Sequence, residues 1–265
     1  MPVRTPTVMG VLNVTPDSSF APSRASEPDA AVARGLALVA QGAAILDVGG
    51  ESTRPGATPV DAQVELQRVL PVVRGLAGAA RVSIDTTKDD VARAAVAEGA
   101  TLLNDVAGNL AQVAAELGVG GVAMHHRGIP AAKGVAPMGP GVADLVADHV
   151  LRAARSAREL GVAEVYVDPG IGFGKDPHDN LALLARLDEL CAAAHAEGFG
   201  VMVGASRKRF LGALPHGGPL GAEDRFEGSL AVAVYAMVCG VDVVRVHDVA
   251  ATAQAASLVS DGEAA

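Results

Sequence analysis

Residues 81–105 read RVSIDTTKDDVARAAVAEGATLLND. The stretch opens and closes on short β-rich runs, Arg81–Asp85 and Thr101–Asp105, each finishing on a carboxylate. Between them, residues 87–98 are Ala-rich with helical periodicity. Gly99 follows where a helix C-cap favours left-handed backbone. The order is strand, helix, strand, and each strand delivers a polar side chain at its end.

Outward from this stretch the same unit repeats. Further β-rich runs occur at Thr7–Asn13, Ala44–Val48, Gly121–His125, Glu164–Asp168, Gly200–Gly204 and Asp242–Val246, which makes eight. Most are apolar throughout, as parallel strands covered on both faces must be. Helical stretches lie near 29–41, 60–79, 87–98, 110–117, 141–161, 178–198, 222–240 and 248–260, several stopping at a glycine (Gly42, Gly161, Gly240). Sharing 265 residues among eight units gives about 33 each, the length of a βα repeat. The sequence therefore predicts an α/β fold, a closed (β/α)8 barrel, as a single domain over residues 1–265. An open doubly wound sheet would have fewer strands and a Gly-rich first turn, whereas here Val14, Thr15, Pro16, Asp17 and Ser18 follow the first run. Residues 128–140 predict a long loop after the fifth strand.

The chain carries 21 Lys+Arg against 30 Asp+Glu, a formal net charge of −9, and 3% aromatic residues with no Trp. A nucleic-acid partner, which needs a basic face and stacking platforms, is not expected. No apolar run approaches the roughly 18 residues of a membrane helix. The first residues, Met1 to Pro6, lack the charged start and apolar stretch of a signal peptide. Cys191 and Cys239 have neither zinc spacing nor a disulfide framework, so they read as reduced thiols in a cytoplasmic protein.

The strand ends carry the chemistry. Asn13, Asp47, Asp85, Asn104, His125, Asp168, Ser206 with Arg207 and Lys208, and Arg245 with His247 follow the eight runs in turn. In a barrel these positions converge on one rim, where ligands bind. Polar residues end strands in any protein, but the opposite turns are mainly Gly and Ala, and that asymmetry favours a binding mouth. No His/Cys cluster of transition-metal type is present, and an oxygen site using Asn13 and substrate phosphates would suit Mg2+. Gly170 to Lys175 has the wrong spacing for a phosphate loop and reads as a tight loop over the mouth. The residues alone imply a polar, flat, partly anionic ligand and do not identify it.

Several motifs resemble one family. Met9 to Ser18, Asp47 to Gly56, Val82 to Thr86, Asn104-Asp105-Val106, Met124-His125, Asp168 to Lys175, Ser206 to Gly212 and Arg245 to Asp248 are similar to the signatures of dihydropteroate synthases, in order along nearly the whole chain. The resemblance implies a TIM barrel. It implies condensation of 6-hydroxymethyl-7,8-dihydropterin diphosphate with p-aminobenzoate, giving 7,8-dihydropteroate and pyrophosphate in folate biosynthesis. It also implies Mg2+, a homodimer, and sulfonamides as inhibitors.

By that similarity, Asp85, Asn104, Asp168 and Lys208 match the pterin pocket, with Met124 and Phe173 as apolar walls. Asn13, Arg245 and His247 match the diphosphate and Mg2+ site, with Asn13 at the metal. Gly204, Ser206 and Arg207 match substrate-binding positions, and the p-aminobenzoate carboxylate is expected at a helix N-terminus opened by Ser206 and Arg207. Thr53, Arg54 and Pro55 lie in a second loop expected to close over substrates. No general base is assigned.

One loop departs from the pattern. Where the family has Phe-Ser-Asp-Gly-Gly, this chain has Ser19, Phe20, Ala21, Pro22 and Ser23. The acidic position, which the family resemblance links to a cationic intermediate, falls on Ala21, and Asp17 is a carboxylate that could compensate. Two alternatives stay open: a paralogue that binds pterin without synthase activity, and a pterin- or folate-dependent methyltransferase on the same barrel.

Overall fold

In a computed structural model, eight parallel strands close on themselves in sequence order, β1 to β8, with β1 pairing β8. The structure describes residues 6–15, 27–52, 57–128, 135–213 and 219–262. The elements are β1 (Thr7–Asn13), α1 (Pro28–Ala40), β2 (Ile45–Gly49), α2 (Ala62–Leu76), β3 (Arg81–Asp85), α3 (Asp89–Ala97), β4 (Leu102–Asn104) and α4 (Ala111–Leu117). They continue with β5 (Gly120–Met124), α5 (Val142–Leu160), β6 (Val165–Asp168), α6 (Pro177–Ala185), α7 (Leu187–Ala196), β7 (Gly200–Val203), α8 (Phe226–Val238), β8 (Val243–Val246) and α9 (Val249–Gly262). The closed eight-stranded α/β barrel predicted from the repeat is the fold observed.

Strand alternation sorts the side chains. Val8, Leu12, Leu46, Val48, Val82 and Ile84 join the core between sheet and helices. Met9, Ile45, Leu102, Val122, Met124, Met202 and Val243 form a separate cluster inside the barrel. The period of two therefore also sends Asn13, Asp47, Asp85, Asn104, Asp168 and Arg245 inward. At the opposite end, Arg81 and Tyr166 close the floor: Arg81 Nη1 donates to Glu164 Oε1 at 2.9 Å and the Tyr166 hydroxyl to the same oxygen at 2.7 Å. Glycine makes room there, since a Cβ on Gly200 would stand 2.6 Å from the Tyr166 ring.

Local chemistry sets the helix ends. Asp61 caps α2 by accepting from the Gln63 N–H at 2.8 Å, and Asp176 with Asp179 forms a reciprocal capping box ahead of Pro177 in α6. Gly42, Gly99, Gly161 and Gly240 all have φ between +94° and +112°, as their positions at helix ends predict.

Two helix expectations are corrected. The stretch 178–198 is not one helix but α6 and α7, broken at Arg186, where φ is −122° and ψ 26°. The bend lets Leu183 and Leu184 on one side and Leu187 and Leu190 on the other reach the core. No helix N-terminus forms at Ser206 and Arg207: after β7 the chain makes a 3-10 turn over Arg209–Ala213, and α8 starts at Phe226. Arg207 takes φ +56°, which interrupts right-handed helical backbone at that point. Among the described residues no helix is long and apolar enough to cross a membrane.

Candidate active site at the carboxyl rim

Three inward carboxylates and two cations meet at the rim. Arg245, on β8, spans two of the acids: its Nε donates to Asp47 Oδ2 at 2.6 Å and its Nη2 to Asp85 Oδ2 at 2.8 Å. Asn104 Nδ2 donates to the same Asp47 oxygen at 3.0 Å. Asp47 is 0% exposed, so without these partners its charge would be costly to bury. Burial and the Asp47 charge push Asp85 up to about 7, against the pull of Arg245. Burial acts to lower Arg245, but Asp47 and Asp85 outweigh it and hold the guanidinium above its ordinary value.

The third acid, Asp168, lies beside Met124 in the β5–β6 register. Its Oδ1 accepts from the Gly170 N–H at 2.7 Å, yet burial still raises its pKa. Lys208 reaches across from the loop after β7. Its ammonium donates to the Ile171 carbonyl and stands 4.1 Å from the centroid of the Phe173 ring. Burial draws Lys208 down to about 7, although Asp168 attracts a proton to it. Phe173 packs against the inner apolar cluster that includes Met124. Two apolar side chains, Met124 and Phe173, thus stand among the polar groups of Asp85, Asn104, Asp168 and Lys208. A flat heterocycle with ring N–H groups and ring acceptors meets complementary partners there.

At the same rim, His247 Nδ1 lies 3.0 Å from Ser206 Oγ, which also accepts from the His247 backbone N–H at 3.2 Å. Burial and the Arg245 charge pull His247 down to about 3, so its imidazole is neutral. A hydroxyl that donates to Nδ1 leaves the ring proton on Nε2. Gly204 flanks the Arg245 stem, where a Cβ would be 3.6 Å away. Asn13 ends β1 at the same rim, in register with Gly49. Asp17, Thr53, Arg54 and Pro55, and the altered loop from Ser19 to Ser23, lie outside the described residues.

A family model described as pterin binding enzyme matches residues 9–247. The chain is 46% identical to the dihydropteroate synthase of Mycobacterium leprae, covering 95% of this chain and 92% of that one. It superposes on the Xanthomonas albilineans dihydropteroate synthase bound to 4-aminobenzoic acid with a TM-score of 0.86, at 41% identity over 98% of this chain and 94% of that one. Against the Burkholderia cenocepacia dihydropteroate synthase complexed with 7,8-dihydropteroate, the TM-score is 0.82, at 39% identity over 98% and 92%. The chain belongs to the dihydropteroate synthase family.

Within this dihydropteroate synthase-family barrel, Asn13, Asp85, Asn104, Met124, Asp168, Phe173, Gly204, Lys208, Arg245 and His247 gather at one rim, as the sequence predicts. Ser206 joins them through His247. Arg207 is placed differently. Its guanidinium forks onto Asp248 at 2.7 and 2.9 Å and reaches the Ala222 and Glu223 carbonyls at 3.0 and 3.1 Å. Its backbone N–H donates to Ser229 Oγ at 2.8 Å, and its carbonyl accepts from Arg225 at 3.0 Å. Arg207 therefore ties the seventh loop to the start of α9 and the approach to α8.

Sequence reasoning placed Asp47 at the rim without a specific role and gave none to Lys175. For Asp47 the signal was present: it has the inward parity of Ile45 and is a carboxylate inside an apolar strand. A further network lies behind the second loop. Lys88 bridges Glu51 and the buried Glu65, and Glu51 Oε1 accepts from the Val60 N–H at 3.0 Å. The bond from Glu51 to Val60 pins the two stems of that loop together.

Proposed function

We propose that the chain condenses 6-hydroxymethyl-7,8-dihydropterin diphosphate with p-aminobenzoate, releasing pyrophosphate and 7,8-dihydropteroate for folate synthesis. The observation that carries this reading is the grouping of Asp85, Asn104, Asp168 and Lys208 with Met124 and Phe173 at the carboxyl rim of a barrel of this family.

In this reading Asp168 accepts from the pterin N–H and amino groups, Lys208 donates to ring acceptors, and Asn104, held by Asp47, presents its amide to the same ring. The C–O bond to the diphosphate breaks with its electron pair leaving on oxygen. The exocyclic carbon becomes electron-deficient, and the arylamine nitrogen forms the new C–N bond and then loses a proton. Charge develops on the departing pyrophosphate, so fixed donors there favour the transition state over the ground state. Arg245 and the neutral His247 with its Nε2 proton supply them. Ser206 and Arg207 shape the seventh loop, where the p-aminobenzoate carboxylate binds. The family resemblance gives Thr53, Arg54 and Pro55 of the second loop the task of closing over substrates, which would exclude water from the electrophilic carbon, and Asp17 of the first loop is the carboxylate proposed to stand in for the acid missing at Ala21.

The donor set suits a hard cation only when substrate oxygens fill most of its shell. Among the described residues no three His, Cys, Asp or Glu side chains gather as a metal group, while Asn13 stands at the rim. Asn13 and the diphosphate would hold Mg2+, which supplies charge neutralisation on the leaving group.

The folded unit is proposed to be one domain and to pair as a homodimer. Support for pairing is the outer face of α8, where Tyr235 and Val238 are 44% and 63% exposed, beside Leu258 of α9 at 71%. The neighbouring free thiols Cys191 and Cys239 suit a reducing, cytoplasmic setting, and sulfonamides are expected to compete with p-aminobenzoate.

The experiment is pyrophosphate release by purified protein with pterin diphosphate, Mg2+ and with or without p-aminobenzoate. Release that requires the arylamine supports the synthase. Pterin binding without release favours the non-synthase paralogue. Methyl transfer from a methylated folate, with no release, favours the methyltransferase.

A further inference from the structure

We infer that Lys175 is a positioning residue for the pterin: its ammonium gathers three backbone carbonyls and thereby fixes the wall on which Phe173 and Lys208 are mounted. The inference rests on the synthase reading of the site.

Lys175 follows Phe173 by two residues and is 7% exposed. Its Nζ donates to the Gly170 carbonyl at 2.8 Å, the His125 carbonyl at 3.1 Å and the Phe173 carbonyl at 3.4 Å. All three acceptors are neutral, and no salt bridge to Lys175 is formed among the described residues. An ammonium buried on carbonyls is an expensive arrangement for a surface loop, and burial draws this one down to about 7. The charges of Asp168 and Asp179 lie close enough to attract it and oppose the cost of burial.

What the ammonium holds is functional. The His125 carbonyl belongs to the residue after β5 and the Gly170 carbonyl to the turn after Asp168, so Lys175 ties two adjacent strand ends together. These backbones already approach so closely that a Cβ on Gly170 would lie 1.8 Å from the His125 oxygen. Between Gly170 and Phe173 sits the Ile171 carbonyl that accepts from Lys208. Asn180, fully buried in α6, braces the same loop from behind: its Oδ1 accepts from the Gly172 N–H at 2.6 Å, and its Nδ2 donates to the Asp176 carbonyl at 2.6 Å. The backbone that carries the Phe173 ring and the carbonyl that seats the Lys208 ammonium are thus held by Lys175 together with Asn180.

The test compares Lys175→Met, which keeps the length and loses every donor, with Lys175→Gln, which keeps two N–H donors. Calorimetry with a phosphate-free pterin reads binding without turnover. Lys175→Met should weaken that binding at least tenfold and raise KM for the pterin diphosphate in parallel, with KM for p-aminobenzoate changed less than twofold. Lys175→Gln should fall between Lys175→Met and wild type, and it carries the test alone if Lys175→Met does not fold. Wild-type pterin affinity in either variant, with only the melting temperature lowered, overturns the inference, as do equal losses for both substrates. A wild type that binds pterin but releases no pyrophosphate sinks the synthase reading and leaves the titration to decide Lys175. A wild type that binds no pterin overturns both.

Discussion

Arg245 and Asp47 are 198 positions apart in sequence and 2.6 Å apart in space, with the same guanidinium bonded to Asp85 at 2.8 Å. In the proposed reading the arginine therefore braces the pterin pocket as well as meeting the diphosphate. Arg245→Ala should cost about 3–5 kcal/mol of stability by stranding the buried Asp47 and the half-buried Asp85. It should also weaken phosphate-free pterin, because Asp85 and Asn104 lose their fixed geometry. Denaturant melts and pterin calorimetry check both. Unchanged affinity for phosphate-free pterin would confine Arg245 to the diphosphate.

Lys208 is held down at about 7, so it is charged below that pH and neutral above it. A ring acceptor binds the ammonium better than the amine, and pterin affinity should fall as pH rises through about 7. Binding near pH 8 should take up protons, visible in calorimetry as heats that vary with the buffer. Asp85 titrates in the same range, so Lys208→Met isolates the lysine: that variant should lose roughly tenfold or more in affinity and most of the proton uptake.

The fork from Arg207 to Asp248 holds the seventh loop where p-aminobenzoate is proposed to bind. Asp248→Asn should raise KM for p-aminobenzoate several-fold while leaving pterin affinity near wild type. Stability should drop by about 1–2 kcal/mol, the cost of a half-satisfied, partly buried pair. Steady-state kinetics on each substrate would show equal effects if the fork were only structural.

Gly170 and Gly108 both have positive φ, +66° and +74°. A Cβ on Gly108 meets nothing within 4 Å, so Gly108→Ala should cost about 1 kcal/mol from backbone conformation alone. A Cβ on Gly170 collides with the His125 backbone, and Gly170→Ala should lose several kcal/mol and its pterin binding. Thermal melts of the two variants side by side separate conformational strain from collision.

Ala21 stands at the acidic position of the first loop in the family pattern. Ala21→Asp should raise kcat by several-fold if a carboxylate there steadies positive charge on the pterin. An unchanged kcat would show that the loop has compensated elsewhere.

The barrel was legible because strands covered on both faces must be apolar and must alternate, and their ends then fall on one rim without further instruction. Asp85, Asn104, Asp168 and Arg245 were readable for that reason. Asp47 was readable as a rim carboxylate for the same reason, but its pairing with an arginine 198 residues away was not. Lys175 escaped because its partners are backbone carbonyls, which every residue possesses. The turn at Arg207 was invisible because nothing in an arginine announces left-handed backbone; six hydrogen bonds from elsewhere in the fold impose it. The break at Arg186 depends on which leucines find room, a matter of packing rather than periodicity.

The Arg81, Glu164 and Tyr166 cluster packs against the far end of the cylinder. In the proposed reading both substrates enter from the carboxyl rim. Whatever sits deepest must arrive first and depart last, so the pterin should load ahead of the arylamine, and an arylamine bound early would obstruct its own co-substrate. Kinetics of this shape give substrate inhibition by the second reactant alone, without any dedicated regulatory element.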